Sequence, residues 1–278
     1  MANTLKDAQK DISNDAVRRL VDLTEFTGEL PPRSPVQGSS YGYTSGGITP
    51  SYSNVIDRFS FVSNGNATNV GDLTESKRGA AGQSSVSNAY ASGGNTGSSS
   101  SVIDKFPFAA TTNATDVGDL TVSRYLAAGQ SSNVSGYTSG GFGSTNTIDK
   151  FPFASNANAT DVGDLTLSRS GEAGQSSNVY GYTSGGSIGS PARSNVIDKF
   201  SFVTNVNATD VGNLTVARYG QAGQSSTESG YTSGGTVDHG TAPPNSTVID
   251  KFSFASDANA TNVGILTVSR YQVAGQQY

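Results

Sequence analysis

A strand-like alternation of residue types recurs along most of the chain. In residues 196–202, one set of alternate positions reads Val, Asp, Phe, Phe and the other reads Ile, Lys, Ser, which is the two-residue period of a β-strand. Ten of the twelve phenylalanines lie in copies of this strand, so the pattern predicts that it packs neighbouring sheets together. The motif Ile-Asp-(Lys/Arg)-Phe-(Pro/Ser)-Phe occurs five times, beginning at Ile56, Ile103, Ile148, Ile197 and Ile249.

The motif belongs to a longer repeat. Each copy follows a Gly-Gly pair and precedes an Asn-Ala-Thr turn, a Leu-Thr pair, an arginine and a Gly-Gln pair. In the fourth copy the sequence predicts four short strands, at residues 173–177, 180–186, 196–202 and 211–215. Four short strands in a repeat of this length are typical of a β-propeller blade. The arginines assigned to the repeat are 45 to 52 residues apart, at Arg78, Arg124, Arg169, Arg218 and Arg270.

The repeats predict an all-β fold, with an N-terminal helical anchor and linker in residues 1–32 and a five-bladed β-propeller in residues 33–278. The last strand, Val273–Tyr278, has no second strand after it, and the first blade has only the degenerate segment Arg33–Gly38 before it. We therefore expect the C-terminal strand to complete the first blade, because ring closure removes open sheet edges. An open array of five units is the alternative.

Loop variation indicates which face of the propeller binds. Because successive strands are antiparallel, the loops between second and third strands share a face with the loops that join one blade to the next. These two sets differ most between copies, and variable loops on a rigid scaffold commonly bind ligands. The alternative is that their lengths drift without function. Tyrosines on such loops suit sugar or protein surfaces. The candidate ligand-binding residues are Tyr52, Tyr125, Phe142, Arg193, Tyr219, Asp238, His239 and Tyr271.

The N-terminal segment lies outside the repeat and predicts a helix. An apolar stripe at helical spacing includes Leu5, Ile12, Val17, Leu20 and Val21, and the helix stops before two successive prolines. An isolated helix of this length is marginal in water, so the stripe needs a partner. We expect it to anchor the protein to other proteins or to a second copy, and docking on its own propeller is the alternative.

Composition excludes several classes of function. The chain has no cysteine and one histidine, His239, which leaves little for a metal site or a Ser-His-Asp relay. The net charge of −5 argues against a protein that coats nucleic-acid phosphates, and no apolar run is long enough to span a bilayer. We therefore expect no cofactor, no metal, no nucleic-acid partner, no membrane span and no catalysis.

Two recurring sets of polar residues are interpreted as structural. The acidic residues around the Asn-Ala-Thr triplets suggest a calcium loop, but asparagine replaces them at Asn69, Asn213 and Asn262, so turn capping is the better explanation. The arginines of the repeat are matched by an aspartate in each third strand, and mutual pairing explains both sets. These aspartates are Asp57, Asp104, Asp149, Asp198 and Asp250.

The order of elements carries a resemblance to a known family. An arginine, a small-residue strand, an aromatic strand ending in Gly-Gly and a strand with Asp-x-Phe together resemble the kelch-type β-propeller repeat over residues 33–278, although the tryptophan usual in the fourth strand is missing. The nearly invariant sequence segments GYTSGG, IDKFPFA and NATDVGDLT are also similar to segments of repeat proteins encoded by tailed bacteriophages.

The resemblance to phage-encoded repeat proteins implies a protein of the virion. The expected function is a non-enzymatic structural or adhesion component of a phage tail, fibre or head appendage. It would bind other virion proteins through the N-terminal helix and a host-surface glycan or protein through the variable loops. A lectin with five equivalent sugar sites and an architectural decoration or baseplate protein without a ligand are the alternatives.

Overall fold

The structure is a computed structural model that describes residues 40–143, 145–237 and 245–274. Within this part of the chain every regular element is a β-strand. The first blade has the sheet order β1-β4-β5, and β2 and β3 form a separate hairpin. These strands are β1 (Tyr41–Ser45), β2 (Ile48–Thr49), β3 (Ser51–Tyr52), β4 (Val55–Ser60) and β5 (Thr68–Asp72).

Each of the next four blades is a four-stranded antiparallel sheet whose strands follow chain order, as the repeat predicts. The second blade contains β6 (Ala81–Ser84), β7 (Asn88–Ser92), β8 (Val102–Pro107) and β9 (Thr115–Asp119). The third contains β10 (Ala128–Ser131), β11 (Ser135–Ser139), β12 (Thr147–Pro152) and β13 (Thr160–Asp164). The fourth contains β14 (Ala173–Ser176), β15 (Tyr180–Ser184), β16 (Val196–Ser201) and β17 (Thr209–Asn213). The fifth contains β18 (Ala222–Ser225), β19 (Ser229–Ser233), β20 (Val248–Ser253) and β21 (Thr261–Ile265).

The sheets confirm an all-β, five-bladed propeller. The second, third and fourth blades each have a neighbouring blade on both sides. Their third strands are buried on both faces, as expected for a sheet that packs between two others. In β16, Ile197 and Phe200 pack into different clusters, and they are 0% and 3% exposed. The fourth strand of this blade begins two residues earlier than predicted, because Thr209 of the Asn-Ala-Thr turn already pairs with Lys199.

Successive blades pack through the same kinds of side chain. We call the side of a blade that carries its isoleucine, valine and leucine the front face, and the side that carries its two phenylalanines and an alanine the back face. At the junction of the third and fourth blades, the rings of Tyr137 and Phe202 stack with centroids 4.7 Å apart. Such front-to-back contacts join the five blades in sequence. At this junction they involve Tyr137, Ile148, Val162 and Leu165 on one side and Phe200, Phe202 and Ala208 on the other.

The Asn-Ala-Thr turns belong to the same junctions. Asn158 Oδ1 accepts a hydrogen bond from the backbone N–H of Asp119, in the preceding blade, at 3.1 Å. Asp116 Oδ1 accepts one from Gly118 N at 3.0 Å, so the acidic residue caps a turn as predicted. Gly118 has a φ of +148°, and a Cβ there would lie 2.5 Å from the carbonyl oxygen of Ala157, so glycine allows the next blade to approach.

The two outermost faces of the array are exposed. Val263, on the front face of the fifth blade, is 51% exposed, whereas its equivalent Val162 is 8% exposed. Phe61, on the back face of the first blade, is 47% exposed, and its equivalent Phe202 is 8% exposed. The described residues therefore do not form the fifth junction that ring closure predicts.

Two predicted segments lie outside the described residues. These are the helical anchor in residues 1–32 and residues 275–278 of the closing strand. The backbone as far as Gln272 follows the same path as at the earlier junctions. Gln272 N donates a hydrogen bond to Gly220 O at 2.7 Å, and the equivalent bond one blade earlier runs from Gly220 N to Gly171 O, also at 2.7 Å. Both segments stay predictions.

Candidate ligand-binding surface

The loops of one face of the propeller are tied together by backbone pairing. We call it the variable face, and it consists of the loops between second and third strands and the loops that join successive blades. The prediction that these two sets lie on the same face is confirmed, because β-bridges connect them. The bridges also fix the backbone of several candidate residues. They are Arg78–Asn95, Tyr125–Phe142, Ser170–Ser187 and Tyr219–Thr236.

The blade-joining loops also bond to one another. Leu126 N donates to Gly79 O at 2.8 Å, and Gly171 N donates to Leu126 O at 2.8 Å. The equivalent residues include glycines such as Gly171, with a φ of +66°, whereas Leu126 adopts a φ of 56°. A leucine is disfavoured in this left-handed region, so these hydrogen bonds and the surrounding packing impose its conformation. Neighbouring blade-joining loops are therefore connected by backbone hydrogen bonds.

Four side chains from the first three blades form one cluster on the variable face. The rings of Tyr125 and Phe142 have centroids 4.8 Å apart and an interplanar angle of 38°. The guanidinium carbon of Arg78 lies 5.8 Å from the ring centroid of Tyr52 and 5.8 Å from that of Tyr125. We call these four residues, Tyr52, Arg78, Tyr125 and Phe142, the aromatic–arginine cluster. Phe142 is 53% exposed, so the cluster presents ring surface to solvent.

A second arginine lies over a tyrosine further along the same face. The guanidinium carbon of Arg193 is 4.1 Å from the ring centroid of Tyr219, within the range of a cation–π interaction. Arg193 Nη1 donates to Ser187 Oγ at 3.0 Å and to Ala192 O at 3.0 Å, which holds the group over the ring. The variable face thus carries two arginines whose planar groups are positioned by aromatic rings.

The structure brings together five of the eight predicted ligand-binding residues. Tyr52, Tyr125 and Phe142 meet in the aromatic–arginine cluster, and Arg193 meets Tyr219. Tyr271 is 47% exposed in the loop that follows the fifth blade. Asp238 and His239 lie outside the described residues.

Arg78 was assigned wrongly from the sequence. The prediction placed it in the ring of arginines that pair with aspartates, but Lys77 takes that position, and Lys77 Nζ lies 2.8 Å from Asp104 Oδ2 with both side chains fully buried. At all four junctions the paired cation precedes the Ala-Gly-Gln strand by four residues, a spacing that identifies Lys77. Mutual pairing itself is confirmed at four junctions. Arg78 takes no part in it and lies in the aromatic–arginine cluster of the variable face. The pairs are Lys77–Asp104, Arg124–Asp149, Arg169–Asp198 and Arg218–Asp250.

Glu172 is a titratable residue that the sequence analysis did not single out. It is 7% exposed, and loss of solvation raises the pKa of its carboxyl to about 8, although the charges of Arg169 and Arg124 act in the opposite direction. Gln221 occupies the equivalent position in the next copy, and its Nε2 donates to Ser184 O at 2.8 Å. Because Glu172 is buried, it affects stability rather than contact with a ligand.

The side chains of the variable face have the chemistry needed to contact a ligand. They offer ring faces, hydroxyls and guanidinium groups, which bind ligands by stacking and hydrogen bonding. Within residues 40–143, 145–237 and 245–274, no three His, Asp or Glu residues come together in a way that could hold a metal ion. That same portion of the chain has no helix of the length and apolarity needed to cross a membrane.

The blade order and the repeated junctions define the chain as a five-bladed β-propeller with a set of joined loops on one face. Among solved structures it is similar to YjhT, itself a propeller, with a TM-score of 0.71 and 11% sequence identity over 86% of this chain and 85% of that chain. No protein-family model matches the chain, and no curated protein sequence matches it. At this identity the likeness shows the fold alone.

Proposed function

We propose that this protein is a non-enzymatic attachment protein whose variable face binds a cell-surface glycan. The aromatic–arginine cluster carries the proposal, because loops of three successive blades bring two contacting, mutually tilted rings and a guanidinium group to one exposed place. Sugar rings stack on aromatic faces, and neighbouring polar groups bond their hydroxyls. Tyrosine also supplies contact area at a low cost in conformational entropy.

The burial of the recurring residues supports this assignment. The paired cations and aspartates of the four junctions are fully buried, and the recurring phenylalanines pack between blades. On the variable face, Phe142, which has no phenylalanine at the equivalent position of any other copy, is 53% exposed. A lectin with five equivalent sites would bind through recurring residues, so this distribution favours the variable loops.

The place of the protein in a particle is proposed from the sequence. The resemblance of the repeats to phage-encoded repeat proteins supports a structural and adhesion component of a phage particle, located in the virion. In this proposal residues 1–32 form a helical anchor that binds other virion proteins. The C-terminal strand Val273–Tyr278 closes the propeller.

Binding of the labelled full chain to an array of bacterial surface polysaccharides tests the proposal. We expect the chain to bind particular polysaccharides, and the double variant Tyr125→Ala/Phe142→Ala to bind them about tenfold or more weakly, since each ring contributes about 1 kcal/mol. The matched control is Tyr41→Ala, which removes a ring that is 43% exposed at the end of β1 away from the variable face. No binding by the unmodified chain, or an equal loss in the control, would contradict the proposal.

A further inference from the structure

We propose that the aromatic–arginine cluster selects an acidic saccharide. Arg78 binds the carboxylate of a uronic-acid residue, while Tyr125 and Phe142 hold the sugar ring. This inference rests on the proposed function and names the class of ligand that the same site takes.

Arg78 is a cation that contacts aromatic rings but has no anionic partner among the described residues. Its guanidinium group forms no hydrogen bond or ion pair within the described part of the chain, and its Nε is buried without an acceptor. By contrast, Lys77, the neighbouring residue, is neutralised by Asp104 at 2.8 Å. A guanidinium without hydrogen bonds or an ion pair can bind a ligand that supplies two acceptor oxygens. Carboxylates are such ligands, because they bind a guanidinium bidentately through short, charge-assisted hydrogen bonds.

The acidic residues near Arg78 in the sequence and in the next blade have other partners, although the whole chain carries a net charge of −5. The acidic residue of the same loop is Glu75, whose Oε2 accepts a hydrogen bond from Ser100 Oγ at 2.8 Å. The carboxylate of Asp104 is already paired with Lys77. Neither of these two carboxylates forms an ion pair with the guanidinium of Arg78.

The backbone and the rings hold Arg78 in position before a ligand arrives. Arg78 N donates to Asn95 O at 3.1 Å, and Asn95 N donates to Arg78 O at 2.8 Å. The rings of Tyr52 and Tyr125 flank the guanidinium at 5.8 Å each. A group fixed in this way loses less conformational entropy on binding, which raises affinity.

Arginine occurs at this position in one copy of the repeat. The equivalent residues of the later copies are Tyr125, Ser170, Tyr219 and Tyr271. The cation thus belongs to this site and not to the scaffold. Aromatic rings alone stack on neutral and acidic sugars alike. The guanidinium of Arg78 adds a preference for a sugar that carries a carboxylate.

Isothermal titration calorimetry of the full chain with two matched probes tests the inference. The probes are α-1,4-linked galacturonate oligomers and α-1,4-linked galactose oligomers of equal length, which differ in a carboxylate at each ring. We expect the galacturonate oligomers to bind roughly tenfold or more tightly, and added salt to reduce this preference. Arg78→Gln should remove the preference, so that the two probes bind this variant with similar affinity. Arg78→Lys should keep only part of the preference, because an ammonium cannot bind a carboxylate bidentately as a planar guanidinium does.

The control variant is Arg58→Gln, which removes a guanidinium that lies 4.5 Å from the ring centroid of Tyr41, outside the variable face. It should bind both probes as the unmodified chain does. Equal affinity for the two probes would overturn the inference and leave the proposed glycan attachment standing. Binding of neither probe would also overturn it, and the polysaccharide array would then decide the proposed function separately.

Discussion

At the scale of single residues, Glu172 links burial to pH. Its carboxyl has a folded-state pKa of about 8, against an ordinary value of 4.5, because the neutral form avoids the cost of burying a charge. The folded chain thus binds this proton more tightly than the unfolded chain. The corresponding contribution to stability is fully present below about pH 4.5 and is lost as the pH rises to about 8.

The substitution Glu172→Gln should remove this loss. The amide cannot ionise, and Gln221 shows that a glutamine at the equivalent position finds a carbonyl acceptor, Ser184 O at 2.8 Å. We expect the free energy of unfolding of the variant, measured by urea denaturation, to fall less than that of the unmodified chain between pH 5 and 8, by about 1 kcal/mol per pH unit. Glu228→Gln, in an exposed turn, controls for the change in net charge. Parallel curves for Glu172→Gln and the unmodified chain would show that the carboxyl stays ionised when buried.

Arg78 and Glu172 illustrate what the sequence could predict at single positions. The spacing of the cation to the Ala-Gly-Gln strand contained enough information to place Lys77 in the core and Arg78 on the surface. Which rings flank Arg78 could not be predicted, because Tyr52 and Tyr125 come from loops of different blades. Glu172 occupies the position of Ala80 and Ala127 in the earlier copies, so the sequence marks this residue as unusual. The sequence does not show whether the pKa of its carboxyl is raised or lowered.

At the scale of elements, each junction of the blades combines apolar packing with one buried ion pair. Asp250 accepts hydrogen bonds from Thr215 Oγ1 at 2.6 Å and from Thr215 N at 3.1 Å, and its Oδ2 lies 3.0 Å from Arg218 Nη2. The threonine and the arginine come from the preceding blade, so the aspartate joins two sheets. The desolvation of both charges is offset only while the whole set remains together.

Asp250→Ala should therefore cost about 3–5 kcal/mol, because it leaves the fully buried Arg218 without its carboxylate. The matched control is Asp257→Ala at the same junction of the fourth and fifth blades. Its pair with Lys199 has side chains that are 57% and 19% exposed, so its loss should cost less than about 1 kcal/mol. Urea denaturation of the two variants provides the comparison. Similar losses would mean that the buried pair adds little beyond the apolar packing.

At the scale of the whole molecule, periodicity made most of the fold predictable. The second to fifth blades repeat the same four-strand pattern, and the first blade repeats its last three strands. A repeat that buries its faces against its neighbours has few arrangements open to it. The five blades and the shared face of the variable loops followed from this argument. The contact between the first and last blades could not be predicted in the same way. It depends on the total rotation of the blades over four successive junctions, which the residues of one repeat do not determine.

The residues needed for a fifth junction are present although its two faces are exposed. The front face of the fifth blade offers Val263, Thr267 and Arg270, and the back face of the first blade offers Asp57 and Phe61, the same residue types that meet at the other junctions. Exposed apolar faces of this kind tend to find a partner. A face on the same chain is present at a higher effective concentration than one on a second copy.

We therefore expect ring closure in solution, and a cross-link can detect it because the chain has no cysteine of its own. Lys199 Nζ and Asp257 Oδ1 meet at 2.5 Å across the junction of the fourth and fifth blades, and the equivalent positions of the fifth junction are Lys251 and Asn64. The variant Lys251→Cys/Asn64→Cys, treated with a short bis-maleimide, should form a link within one chain. The variant Lys199→Cys/Asp257→Cys is the positive control. A linked dimer would mean that a second copy completes the junction, and a control that links while the test pair does not would establish an open array of five blades.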